Sequence, residues 1–145
     1  MATHIGRDGI IKVGGTVAKN DGTVVGELRS FSIEETGDTV EYSSMSSGGA
    51  RVFLPTLTSF TGSADVYWDE TNAGQTLLAV GSSILIKFFP EGDTPAAGAV
   101  PADIYYEGNA IITGVSRSAS FDGMIEASIT LQGNGALSAL PAVAP

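Results

Sequence analysis

The residues able to do acid–base, nucleophilic or metal chemistry are few and poorly spaced for it. One histidine is present, His4. A chain terminus seldom holds catalytic geometry, which argues against a Ser-His-Asp triad. Gly114-Val115-Ser116-Arg117-Ser118 begins like the Gly-x-Ser-x-Gly elbow of hydrolases and fails at its last position. Glu34 and Glu35 are adjacent, so on a strand they point to opposite faces and cannot pair as acid and base. Asp69–Gly74 starts like a calcium loop, but Thr71 and Ala73 occupy its third and fifth positions and no Glu stands at its twelfth. The same residues make a better helix cap, with Asn72 as N-cap and Gln75 three residues on. There is no cysteine, hence no disulfide and no thiolate metal site. No phosphate-binding or dinucleotide glycine motif occurs. These residues lead to the expectation of a non-enzymatic chain with no catalytic, metal or cofactor site.

The elements that carry these residues are almost all strands. Period-two alternation marks Gly9–Ala18, closed by a turn over 19–22, and then Val24–Thr36. Gly37-Asp38 reads as a tight hairpin turn into Thr39–Ser43. Leu57–Trp68 is a further strand; Ala73–Val80 reads as a short helix stopped by Gly81. Ile84–Pro90 is a buried or edge strand, and residues 91–103, with Pro95, Gly98 and Pro101, read as a loop. Ile104–Arg117 and Gly123–Gly133 form a last hairpin. Seven or so strands with one short helix in 145 residues predict a single all-β domain, a sandwich or barrel.

Composition narrows the function classes. Charged residues are 16% of the chain and the mean hydropathy is +0.20, so the surface is covered by Ser, Thr and 19 glycines rather than by charge. Such a surface is favoured when partners bury part of it. The net charge is −9 and the seven basic residues are scattered, which excludes tight wrapping on a phosphate backbone. The N-terminal residues lack the basic and apolar regions of a signal peptide. The longest apolar run, Ile84–Phe89, is interrupted by Lys87 and is far too short for a membrane helix.

Two features remain once a core is assigned. Residues 44–56 are rich in Gly and Ser and then abruptly apolar, with Met45, Arg51, Val52, Phe53 and Leu54 predicted to be exposed. Loops of this length are usually functional. Alternation also assigns a second, non-core face made of Ser30, Ser32 and Glu34; Thr39 and Glu41; Ser59, Thr61, Ser63 and Asp65; and Glu126, Ser128 and Thr130. Short polar and acidic side chains with almost no Lys or Arg would suit the wall of a wide channel that repels a polyanion.

In the order and spacing of four stretches, the chain resembles the major tail tube proteins of long-tailed bacteriophages and gene transfer agents. They are Met45–Pro55, Ser59–Asp69, Gly74–Leu78 with the strand ending Phe89-Pro90-Glu91-Gly92, and Tyr106–Thr113 with the ending Leu131–Leu137. The resemblance implies a tail-tube β-sandwich with one short helix, assembled as homohexameric rings that stack into a tube. It implies lumen strands near 28–36, 38–45, 57–67 and 123–132, a stacking loop at 44–56, and arms at 1–9 and 134–145. Double-stranded DNA would pass through without sticking. Tape measure, tail terminator and distal tail proteins would be partners, the virion tail would be the location, and no extra decoration domain would follow. Two other readings stand beside it: a tube protein of a contractile injection or secretion system, and a ligand-binding β-sandwich module.

Overall fold

The computed structural model describes residues 9–17, 21–90, 92 and 103–141. Within them the chain forms eight strands and one helical turn: β1 (Ile10–Val13), β2 (Thr23–Val24), β3 (Leu28–Glu41), β4 (Phe53–Tyr67), α1 (Ala73–Thr76), β5 (Ser83–Phe89), β6 (Ile104–Ser118), β7 (Glu126–Gly133) and β8 (Ser138–Pro141). The expected all-β class with one short helix is what the structure shows. All pairings are antiparallel, in the order β2-β1-β5-β6-β7-β4-β3, with β8 added to β6.

The 15-residue β6 links two layers. Its first half, Tyr106–Ile111, pairs with β5, and its second half, Ala110–Ser118, pairs with β7. Three strands separate β3 from β5 along the sheet, yet the rings of Phe31 and Phe88 lie 5.7 Å apart. The sheet therefore folds over on itself, and the enclosed space is one core containing Ile11, Val13, Phe60, Val66, Ile86, Phe88, Ile112 and Ile129. These are the period-two apolar positions, so burial follows directly from the alternation.

Several sequence expectations change. Gly37-Asp38 is not a turn. Neither residue has the positive φ that a two-residue hairpin turn demands, whereas Gly48 (φ 67°) and Gly49 (φ 83°) do. β3 thus runs unbroken to Glu41, and a β-bulge between Gly37 and Thr39 absorbs the irregularity. The helix is one turn rather than eight residues. Its predicted cap is in place: Asn72 Oδ1 accepts from Gln75 N at 3.0 Å and from Gly26 N at 3.2 Å. Buried Gln75 locks this turn to the body, donating to Gly26 O and Tyr67 O and accepting from Asp69 N. Thr71 donates through its hydroxyl and its amide to Asp69, holding that carboxyl below its usual pKa. The cap itself is made by Asn72, as the spacing suggested, and the Asp69 carboxylate serves the turn before it.

Lys87, which interrupts the longest apolar run, is fully buried on the outer side of β5. Its ammonium donates to Thr16 O (2.8 Å), Asp21 O (3.0 Å) and Asp21 Oδ1 (2.7 Å), and lies 3.9 Å from Glu107. The loop between β1 and β2 is pinned to the sheet by this cation. Of the segment expected as a C-terminal arm, residues 138–141 form β8 against Ile104–Glu107 of the same chain. The expected arm over 1–8, the 18–20 part of the first turn, the 93–102 stretch and residues 142–145 lie outside the described residues.

A polar sheet face and a projecting arm as the candidate functional site

The site is assembled on the layer of β3, β4, β7 and the second half of β6, the inner layer, on its face away from the core. Register places Ser30 opposite Asp65, Ser32 opposite Ser63 and Glu34 opposite Thr61. On the other side of β4, Thr61 meets Gln132, Ser63 meets Thr130 and Asp65 meets Ser128. β6 then sets Ser116 beside Ser128 and Ser118 beside Glu126. Because side chains alternate strictly, all of these lie on one face across β3, β4, β7 and β6. Their core-side neighbours, Phe60, Ala64, Val66, Ala127, Ile129 and Leu131, are buried beneath them.

The face is knit by its own hydroxyls. Ser32 and Ser63 are 2.9 Å apart, and Thr36 and Ser59 are 3.2 Å apart. Asp65 accepts from Ser30 on one side (3.2 Å) and from Ser128 on the other. Thr113 and Thr130 donate to carbonyls across the β6–β7 pair, each at 3.3 Å. Such bonds hold short side chains flat against the sheet instead of projecting them. The acids are Glu34, Asp65 and Glu126; the one base, Arg29, is bonded to Glu126 at 3.1 Å and lies 5.2 Å from the Tyr67 ring. The face therefore carries net negative charge and offers no free cation to a phosphate.

The structure gathers most of the residues that alternation grouped and separates two of them. Ser30, Ser32, Glu34, Ser59, Thr61, Ser63, Asp65, Glu126, Ser128 and Thr130 share the face. Thr39 and Glu41 do not. The extra residue of the bulge falls on β4, where Pro55 to Thr58 spans three steps against two from Gly37 to Thr39, so alternation along β3 is kept and Thr39 and Glu41 continue the side opposite Glu34. The fourth strand of the face is not 38–45 but the second half of β6. Ser116 and Ser118 were missed because their alternation was credited to an ordinary hairpin. Arg29 was missed because a bulge between Leu28 and Ser30 turns it toward the face.

Beyond Ser59 and Thr36 the inner layer narrows to two strands. β4 pairs with β7 only from Thr61 onward, so the rest of β3 and β4 forms an arm projecting about 17 Å at about 3.4 Å per residue. From Glu35 to Glu41 and from Phe53 to Ser59 every residue is exposed. Val40 pairs with Leu54, and Tyr42 N donates to Val52 O, which groups four apolar side chains along the arm. Met45 lies at its tip, in a 3-10 turn over Met45–Ser47, and Arg51 follows the Gly48-Gly49 reversal. All five residues expected in the stacking loop are on this arm or its tip, four of them exposed; Val52 is half-buried instead.

Among the described residues no group of three or more His, Asp or Glu could hold a metal ion, and no helix is long and apolar enough to cross a membrane.

No protein-family model and no curated protein matches the chain. Solved structures do. It is similar to a chain in the tail of an empty gene transfer agent particle refined with C6 symmetry, at 19% identity and TM-score 0.70, covering 94% of this chain and 98% of that one. It is similar to the SPP1 tail tube, at 16% identity and TM-score 0.72, covering 97% and 81%. It also resembles a chain of the sheath–tube complex of an extracellular contractile injection system, at 15% identity and TM-score 0.64, covering 96% and 92%. The chain therefore has the fold shared by subunits of phage-type tails, gene transfer agent tails and a contractile injection machine.

Proposed function

We propose that the chain is the structural subunit of a phage-type tail tube, with the polar face lining the bore. The observation that carries this is the four-strand face with two open edges. Among the described residues β3 pairs only with β4, and Gly114–Ser118 of β6 pairs only with β7. An open edge invites pairing, and pairing β3 of one copy with β6 of the next makes one continuous barrel without edges. With the six-fold symmetry of the similar gene transfer agent tail, this gives twenty-four strands. At about 4.8 Å apart these close a barrel about 37 Å across from backbone to backbone before strand tilt widens it, and the short inward side chains narrow the bore little.

A wall of this chemistry suits DNA passage. Hydroxyls bonded to one another compete weakly for phosphate, and the acids repel it, so a duplex moves through without being held. The arms would join successive rings. The virion tail is the corresponding location, and tape measure, terminator and distal tail proteins are the corresponding partners. A tube that delivers a different cargo in a contractile machine would share the fold; the cargo separates the two.

Concentrated purified protein is expected to form hollow tubes in negative-stain micrographs. A species that stays strictly monomeric in sedimentation at high concentration and high salt would sink the proposal. A second result tests the bore. The exposed cross-strand pair Glu34 and Thr61 is replaced in Glu34→Lys/Thr61→Lys. The variant is expected to assemble as the wild type does, yet to retain duplex DNA at low salt and release it as salt rises, because each ring now presents a circle of cations. Equal retention by variant and wild-type tubes would remove the lumen from this face.

A further inference from the structure

The inner layer ends in two exposed apolar tips, at opposite ends of its strands. β3 runs away from Leu28 and β4 runs toward Tyr67, so the arm tip lies past Glu41 and Phe53. The β6–β7 turn lies at the other end, where Ser118 pairs with Glu126, and Trp68 N donates to Ile125 O. At that turn Phe121 is 108% and Met124 64% exposed; at the arm tip Met45 is 101% exposed. Isolated surface hydrophobics are common, but three large ones at two terminal points, with Ile125, Phe53 and Leu54 about half exposed behind them, need covering.

We infer that the arm tip of one subunit seats on the β6–β7 turn of a subunit in the adjoining ring. This rests on the stacked-tube reading above and adds which surface receives the arm. The occupant is a second copy of this chain for two reasons. First, the two patches lie at opposite ends of one sheet, so joining them is a head-to-tail contact that repeats without limit along the strand direction, as a tube requires. Second, the charges are complementary. Arg51 is the only charged residue between Tyr42 and Thr58, and Asp122 is the only one between Ser118 and Ile125; both are exposed. Each contact is small, and a ring presents several at once, so the junction gains by multivalency what each tip lacks in area.

The chain has no cysteine, which permits a clean cross-linking test. Ser46→Cys and Ser120→Cys are introduced together in the full chain, tubes are assembled, and a short bis-maleimide is added. Denaturing gels are expected to show a ladder extending past the number of subunits in one ring, while each single variant stops at dimer. A ladder that ends at the ring number would place the contact inside a ring, and tubes that yield nothing beyond dimer would show that the tips do not meet; either overturns the inference. Failure of wild-type chain to form tubes would overturn the underlying reading instead. Arg51→Asp and Asp122→Arg should each raise the concentration at which tubes appear by about tenfold, and the two together should restore it. Single variants that assemble as the wild type does would count against the pairing.

Discussion

A chain carrying Val40→Asp and Leu54→Asp is expected to fold normally and to form no tubes. The two residues face each other across the arm and are 53% and 49% exposed. Neither belongs to the core, so the thermal midpoint should move little; surface changes of this kind usually stay within about 0.5 kcal/mol. The effect on assembly is of another size. A two-stranded ribbon is only marginally stable alone in water, so the arm acquires its order and its affinity from what it packs on. Placing two carboxylates in that contact buries charge against apolar partners, and the cost recurs for every subunit at the ring junction. Tubes should be absent from micrographs at concentrations where the wild type is fully assembled, while rings and the far-ultraviolet spectrum persist. Normal tubes from this variant would remove the arm from the stacking interface.

The largest effect on stability is expected from Lys87→Met. The side chain it replaces is fully buried and bonded to Thr16 O and to both the carbonyl and carboxylate of Asp21. Methionine fills similar volume but leaves those acceptors without this donor and removes the cation 3.9 Å from buried Glu107; each buried polar group left unsatisfied costs about 1–3 kcal/mol. Denaturant unfolding at neutral pH should show that loss. The pH dependence has a definite sign. The bond to Lys87, with those from Thr16, pulls the Asp21 carboxyl far below its ordinary value of 3.8. A depressed carboxylate stabilises the fold above that ordinary value, and the contribution is lost as pH falls below it toward the folded pKa. The gap between wild type and Lys87→Met should therefore narrow below about pH 4. A gap that widens in acid would show that the Asp21 contact is not what the cation supplies.

Much of this architecture is legible locally. The apolar alternation of Phe60–Trp68 and of Ile125–Leu131 specifies two strands and which side chains they bury, because a period of two leaves no choice of face. Asn72 and Gln75 announce a capped helical turn, because a side-chain acceptor three residues before a free amide satisfies it. The Ser, Thr and acid composition of the opposite face is written in the same alternation.

What alternation cannot specify is the neighbour. Gly37-Asp38 has the composition of a hairpin turn, and residues on both sides would suit short strands. The turn does not form because β4 offers β3 a partner along its whole length, and a bulge accommodates the irregularity more cheaply than two residues at positive φ. That pairing moves Thr39 and Glu41 off the face, turns 35–59 into an arm, and leaves the second half of β6 to supply the fourth strand. Lys87 is similar: in sequence it interrupts an apolar run, and only the loop folded over it makes a buried cation tolerable. The sequence by itself determined the all-β class, the cap and the chemistry of the polar face, since these depend on spacings within one segment. Tertiary structure alone decided which four strands share that face, where it stops and where the arm begins. Those follow from hydrogen bonds between segments far apart in the chain, whose register no local pattern records.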